Sequence, residues 1–242
     1  MKKLLLTVSL LTLLLAPLVT NANDQPWPLQ TPAINIHNTA SLQRGARDFM
    51  NRCAGCHSLQ AMTYEQMGRA AGIVNEDNDV YENLVKDNLI FTGASLDAPI
   101  RASMDREEAV KWLGKYAPDL SHIVQARSRR WVYTFLMSYY ADPKAEWGVN
   151  NLLIPDIKMP DVLANVRGKV TVVYQQDGSH TISHLQLQNQ AKIEQTANDL
   201  TNFLTVVGEP HRANRANVGF WILLVILLLS IVAYLWSHDK RD

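Results

Sequence analysis

The chain has 242 residues, 23 basic side chains (Lys and Arg) against 23 acidic ones, and two cysteines. The neutral balance argues against a general nucleic-acid binder, because neutralising phosphates requires a surplus of Lys and Arg. Two cysteines form at most one disulfide, which excludes a disulfide-rich scaffold. The sequence also lacks the Gly-rich phosphate loops of nucleotide-binding proteins.

The N-terminus has the order of a secretory signal peptide. A basic start, Met1-Lys2-Lys3, precedes an apolar run from Leu4 to Val19, and a small residue, Ala22, follows. We therefore expect residues 1–22 to be a signal peptide that is cleaved after Ala22. An uncleaved N-terminal anchor is the alternative, and Pro17 favours cleavage.

The C-terminus contains a second apolar segment, which runs without a charge from Val218 to Trp236. As a helix it would span ~28 Å, close to the ~30 Å of a bilayer's hydrocarbon core. Trp221 near one end, and Tyr234 and Trp236 near the other, suit the two membrane interfaces. We predict one transmembrane helix over 218–236. The flanking charges balance, so the export signal sets the orientation: residues 23–209 outside, and a tail of residues 237–242 in the cytoplasm.

The region between these segments is predicted to be mainly α-helical. Apolar spacing predicts a helix that starts at Ser41, with Ser41 as its candidate cap. Further helices are predicted over 106–114 and 129–140, with one or two short helices and loops between Ile73 and Asp105. Alternation over 169–187, with the turn Asp177-Gly178, predicts a β-hairpin. A last helix follows, with one apolar face from Ile193 to Val207 and an end at Gly208. We expect this helix, near residues 190–207, to pack against the helix that starts at Ser41.

The chemistry is concentrated in Cys53-Ala54-Gly55-Cys56-His57. Two thiols three positions apart can form thioethers to the two vinyl groups of one haem, and the following imidazole can then bind the iron. A redox dithiol shares the Cys-x-x-Cys spacing but usually follows a strand. A zinc site would need a second ligand pair, and the sequence has no other cysteine. The motif therefore predicts one covalently bound c-type haem.

A thioether is a common sixth ligand of haem iron in electron carriers. Most methionines are flexible core filler, so the residue type alone selects none of them. Met159 differs in context, because it lies in an irregular segment bounded by Pro155 and Pro160 that cannot form a regular helix. The candidates are Met50, Met62, Met67, Met104, Met137 and Met159.

Several segments together resemble one family. They are the haem motif, Ala117-Pro118-Asp119-Leu120-Ser121, Met159-Pro160 after Asn150-Asn151, Gly208-Glu209-Pro210, and the terminal apolar segment. In this order they resemble cytochrome c1, the haem subunit of the quinol–cytochrome c oxidoreductase (cytochrome bc1) complex. The resemblance spans nearly the whole mature chain.

The resemblance implies a mainly α cytochrome c-type haem domain over residues 23–209, with a small β-hairpin insertion and one C-terminal transmembrane helix. It implies that Cys53 and Cys56 attach the haem, that His57 and Met159 ligate the iron, and that Arg127 pairs with a haem propionate. The family commonly has a Gly-rich turn after this arginine, whereas this chain has Ser128-Arg129-Arg130-Trp131. Arg129 is therefore a second candidate for the propionate contact.

The resemblance also implies a function, which is to pass electrons from a Rieske iron–sulfur protein to a cytochrome c acceptor. The chain would be a carrier subunit without a substrate site of its own, partnered by cytochrome b. It would be held in the bacterial inner membrane by one helix, with its haem domain in the periplasm. Two alternatives stay open: an anchored monohaem cytochrome c that serves a terminal oxidase, and an exported, anchored thiol–disulfide oxidoreductase.

Overall fold

A computed structural model describes residues 27–175, 182–209 and 212–239. Over these ranges the chain is mainly α-helical, as predicted, and it also has small sheets. The helices are α1 (Thr39–Arg52), α2 (Tyr64–Ala70), α3 (Glu82–Leu89), α4 (Arg106–Leu113), α5 (Ile123–Arg127), α6 (Arg129–Met137), α7 (Ala164–Arg167), α8 (Gln190–Gly208) and α9 (Arg212–Asp239). The strands are β1 (Leu59–Thr63), β2 (Pro99–Ile100), β3 (Tyr139–Ala141), β4 (Val149–Asn151), β5 (Val170–Tyr174) and β6 (Ile182–Leu187).

Helix α1 leads directly into the Cys-x-x-Cys-His motif and begins two residues before the predicted start. Its N-cap is Asn38, whose side-chain oxygen accepts a hydrogen bond from the Ser41 backbone N–H at 3.1 Å. Ser41 has a different role, because its hydroxyl donates to Oδ1 of Asp199 at 2.6 Å. The prediction that Ser41 caps the helix was wrong because a serine hydroxyl serves equally well as a tertiary donor.

Helices α1 and α8 form the central packed pair, which confirms the predicted pairing of the helix before the motif with the helix near 190–207. Gly45 permits this close approach, since a Cβ there would lie 2.2 Å from the Asp199 carbonyl oxygen. Next to it, the Phe49 and Phe203 rings pack with centroids 5.8 Å apart. An ion pair also joins the two helices, because Arg44 Nε donates to Asp199 Oδ2 at 2.6 Å.

The strands form three antiparallel two-stranded sheets. Strands β5 and β6 form the predicted hairpin, with Val170 opposite Leu187 and Tyr174 opposite Ile182. The predicted Asp177-Gly178 turn lies outside the described residues. Strand β1 pairs with β2, and this ties the chain just after the motif to residues 99–100.

One other predicted boundary differs from the structure. The helix expected over 129–140 ends at Met137, because residues 139–141 pair with β4. Between Ile73 and Asp105 one short helix forms, α3, as predicted, and strand β2, which was not predicted, follows it.

Helix α8 ends, as predicted, at Gly208. A Cβ on it would sit 3.3 Å from the Ser121 carbonyl oxygen. Its own carbonyl accepts from the Gln125 amide. This glycine therefore serves close packing against the segment around Ser121.

The terminal segments are covered unequally. Residues 1–22, the predicted signal peptide, lie outside the described part of the chain, as do residues 240–242 of the predicted tail. A search of the described residues finds no helix that combines the length and apolar character needed to cross a bilayer.

Candidate haem site

Both cysteines of the motif lie in one tight turn at the end of α1. The backbone N–H groups of Cys56 and His57 donate to the Cys53 carbonyl oxygen, at 3.0 and 2.8 Å. The two cysteines are free and half-buried. The turn thus presents two unpaired thiols and an imidazole from five consecutive residues.

The His57 ring is buried, with 8% of its surface exposed, and is held by one hydrogen bond. Its Nδ1 lies 2.8 Å from the Pro118 carbonyl oxygen. Because a carbonyl only accepts, Nδ1 carries the proton and Nε2 keeps its lone pair for a metal. Burial lowers the pKa of the His57 imidazole, and this outweighs the opposing effect of the Pro118 carbonyl. The His57 ring is therefore oriented by the Pro118 carbonyl, and its Nε2 is available to a metal.

The segment around Pro118 is fastened to the chain that follows His57. The Leu120 N–H donates to the Ser58 carbonyl at 2.9 Å. Asp119 Oδ2 accepts from the Gln60 N–H at 2.9 Å, and Ser121 Oγ accepts from the Ala61 N–H at 3.0 Å. In the sequence, residues 117–121 were marked only by their resemblance to a family. The structure gives them a role, because their side chains hold in place the Pro118 carbonyl that orients His57.

A third segment packs on the motif, and the sequence marked only its Met104, as one of the six candidate methionines. The Ser103 and Met104 N–H groups donate to the Ala54 and Gly55 carbonyls, at 3.3 and 2.9 Å. A cavity of about 650 Å³ opens beside Cys56 between this segment and Pro118. Its wall includes Tyr116 and Arg106, with the guanidinium carbon 4.0 Å from the ring centroid. No motif marked these residues in the sequence.

The six candidate methionines separate by burial. Met104 and Met159 are half-buried, and Met104 lines the cavity beside Cys56. The other four belong to the hydrophobic core, which fits core filler; they are Met50, Met62, Met67 and Met137.

The segment leading to Met159 is irregular, as predicted, and is ordered by two buried asparagines. Asn150 Oδ1 accepts from the Asp156 N–H at 3.0 Å, and Asn151 Oδ1 accepts from the Leu153 N–H at 2.9 Å. The Tyr139 hydroxyl donates to the Met159 carbonyl at 3.3 Å. The loop is thus fixed by polar groups rather than by regular secondary structure.

Arg127 is exposed at the end of α5, with its guanidinium carbon 5.4 Å from the Trp131 ring centroid. Trp131 stacks on Phe135 at 5.2 Å, and Phe135 meets the Tyr139 ring edge-on at 5.5 Å. This aromatic row connects Arg127 to the tyrosine that holds Met159. In the described part of the chain no hydrogen bond or ring contact joins Arg127 or Met159 directly to the haem motif.

The residues present fit a covalently attached haem. The two thiols are unpaired, and the neighbouring imidazole is neutral, with its outer nitrogen bound to a carbonyl, as ligating histidines usually are. A redox dithiol would need a thiol of lowered pKa. Here burial raises the pKa of the Cys53 thiol to about 12. The arrangement is that of a c-type cytochrome.

Comparison with known proteins supports this class and narrows it. A model described as the Cytochrome C1 family matches residues 27–242. The chain is 37% identical to a cytochrome c1 of Allochromatium vinosum, over 99% of this chain and 98% of the relative. It is 31% identical to the ammonia monooxygenase gamma subunit of Nitrosomonas europaea, over 95% and 94%. It is 25% identical to cytochrome b/c1 of Bradyrhizobium diazoefficiens, over 88% of this chain and 35% of that protein.

The chain belongs to the cytochrome c1 family. It is accordingly a haem protein with a covalently attached c-type haem, as the Cys-x-x-Cys-His motif predicted. The individual roles of Cys53, Cys56, His57, Met159 and Arg127 stay predictions.

Proposed function

We propose that this chain is the electron-transfer subunit of a cytochrome bc1 complex, passing electrons from a Rieske iron–sulfur protein to a cytochrome c acceptor. Family membership supports a haem electron carrier, and the name of the Bradyrhizobium relative, cytochrome b/c1, supports cytochrome b as a partner. The observation that carries the proposal is the buried His57 ring, bound at Nδ1 to Pro118 beside two free thiols.

Each residue has a distinct part in this proposal. Cys53 and Cys56 would hold the haem through thioethers, so that the carrier keeps it through repeated encounters. His57 would bind the iron through Nε2, and Met159 would bind it through its sulfur. The bound haem would supply reversible one-electron chemistry, at a potential that a thioether ligand raises.

Arg127 pairs with a propionate in the proposed site. A guanidinium fork matches a carboxylate in two hydrogen bonds, and the Trp131 ring under Arg127 restricts the side chain. Arg129, two residues further on and half-buried, is the other candidate.

We further propose that residues 1–22 export the chain, that residues 218–236 anchor it in a bacterial inner membrane, and that residues 237–242 stay in the cytoplasm. The proposed anchor is supported by the sequence of residues 218–236, which contains no charged side chain. The large apolar side chains described along α9, from Val218 to Trp236, are also exposed. An exposed apolar surface of this size would be covered by lipid or by a partner. The anchor would keep the haem domain in the periplasm, near its redox partners.

Purification of the intact complex tests this function. The full chain, tagged after Asp242, would be isolated in mild detergent from cells that mature c-type cytochromes, and its partners identified by mass spectrometry. We expect cytochrome b and a Rieske protein to co-purify, together with haem reduction when quinol is added. A matched preparation of His57→Ala should keep the partners but lose quinol-dependent haem reduction.

Two other outcomes contradict the proposal. Co-purification with a copper–haem oxidase in place of cytochrome b would assign the chain to the terminal-oxidase alternative. A colourless preparation that is reducible at one dithiol would assign it to the thiol oxidoreductases.

A further inference from the structure

Arg167, at the end of α7, is a charged residue with 1% of its side chain exposed. Its Nε donates to Asp161 Oδ2 at 2.9 Å, and Nη2 donates to Asp161 Oδ1 at 3.2 Å. The same guanidinium donates to two backbone carbonyls, Leu136 at 2.7 Å and Met137 at 3.0 Å. The face of the group lies over the Tyr139 ring, 5.8 Å from its centroid.

The cost of burying these charges indicates a specific role. Removing an ion pair from water costs several kcal/mol per ion, and an apolar pair of similar volume often stabilises a fold as well. An arginine fork does what an apolar residue cannot, because it binds a carboxylate and helix-end carbonyls at fixed angles. Arg167 therefore connects two backbone segments through directional hydrogen bonds that an apolar side chain could not make.

The two segments are the end of α6 and the chain that follows Met159. Leu136 and Met137 are the last two residues of α6, so their carbonyls lack partners within the helix. Asp161 comes two residues after Met159. On the other side of Met159, the buried Asn151 amide donates to the Phe135 carbonyl at 2.9 Å. The methionine segment is thus fastened at both ends to consecutive carbonyls of one helix end.

We infer that Arg167 is a positioning residue for Met159, holding the methionine segment against the end of α6 through Asp161. The inference rests on the proposed role of Met159 as the second axial ligand. With the segment fixed, the Met159 sulfur would bind the iron of an attached haem without the cost of ordering a loop. With the ion pair broken, the methionine-dissociated state becomes more populated and an added ligand competes better.

The test uses the full-length, haem-loaded chain with imidazole as the competing ligand. Arg167→Met keeps the apolar volume but removes the fork, and Asp161→Asn removes only the partner charge. Both variants should keep the covalent haem, bind imidazole about tenfold more tightly as the dissociated fraction rises, and lose part of the absorption band of methionine-ligated ferric haem. If Arg167→Met fails to fold, Asp161→Asn decides the question alone.

Two control variants make the outcomes distinct. Phe203→Leu weakens the α1–α8 interface away from the loop and should lower the unfolding free energy without changing imidazole affinity. Met159→Leu should itself abolish the methionine band. Unchanged imidazole affinity in the Arg167 and Asp161 variants, or an equal rise in Phe203→Leu, overturns the inference while the ligand assignment stands. An unchanged band in Met159→Leu overturns the ligand assignment instead.

Discussion

The His57 ring and the Met159 backbone are each held by a residue distant in sequence. Pro118 accepts from the ring at 2.8 Å, and Tyr139 donates to the Met159 carbonyl at 3.3 Å. Each hydrogen bond restrains a residue that the sequence nominates as an iron ligand. At this scale the site is one oriented imidazole and one fixed stretch of backbone rather than a cluster of charges.

Met159→Leu should leave the haem attached but lower the reduction potential, because the thioether is lost while the two thiol attachments remain. Potentiometric titration of the purified chain measures this shift. Met104→Leu is the matched control, since Met104 is also half-buried and lies beside Cys56. A drop in potential with Met104→Leu and none with Met159→Leu would reverse the assignment of the ligand.

Tyr139 predicts a dependence of stability on alkaline pH. Burial raises the pKa of its hydroxyl, with the Asp161 charge adding to the effect. Above about pH 10 the unfolded chain therefore releases this proton before the folded one does, and stability falls as the pH rises. Urea unfolding from pH 8 to 11 should show wild type losing stability faster than Tyr139→Phe. Parallel curves for the two proteins would contradict the burial of this hydroxyl.

At the scale of elements, the fold depends on the α1–α8 pair, which carries the haem motif at the end of α1. Gly45→Ala would place a Cβ 2.2 Å from the Asp199 carbonyl. Alanine normally favours a helix by about 0.5–1 kcal/mol over glycine, but overpacking costs about 1–3 kcal/mol. We expect a net loss of unfolding free energy, measured by urea denaturation. Gln43→Ala, exposed on the same helix, should be nearly neutral; equal effects would contradict the close approach.

The elements that sequence predicted best are those with clear periodicity. The apolar face of α8 and the alternation in β5 gave correct elements, because one buried face dictates such patterns. The start of α1 and the end of α6 were misplaced. In both places a long-range contact decides the boundary: Asp199 engages Ser41, and strand β4 pairs with the residues after Met137.

The site was predicted unevenly for the same reason. The five-residue motif contains its chemistry in consecutive residues, so it could be read directly. The hydrogen bond between His57 and Pro118 could not be predicted, because the two residues lie 61 positions apart. The hydrogen bonds of Arg167 could not be predicted either, because their partners lie 6 to 31 positions away. A buried arginine is also rare enough that sequence alone favours the surface.

At the scale of the whole molecule, three segments converge on the haem motif. Helix α1 leads directly into the motif. Residues 117–121 orient the histidine of the motif, and residues 103–104 bind the carbonyls of its turn. The Met159 loop is held separately, on the end of α6. The two residues proposed to bind the iron, His57 and Met159, thus have separate structural supports.

The central claim is that one haem is joined to Cys53 and Cys56, and intact-mass spectrometry tests it most directly. The chain would be matured in a host that attaches haem to exported proteins and analysed together with its pyridine haemochrome spectrum. For the wild-type protein we predict the mass of residues 23–242 plus one haem. In Cys53→Ala we predict that less haem, or none, stays attached. A bare polypeptide mass without Soret absorption in the wild-type protein would contradict the account.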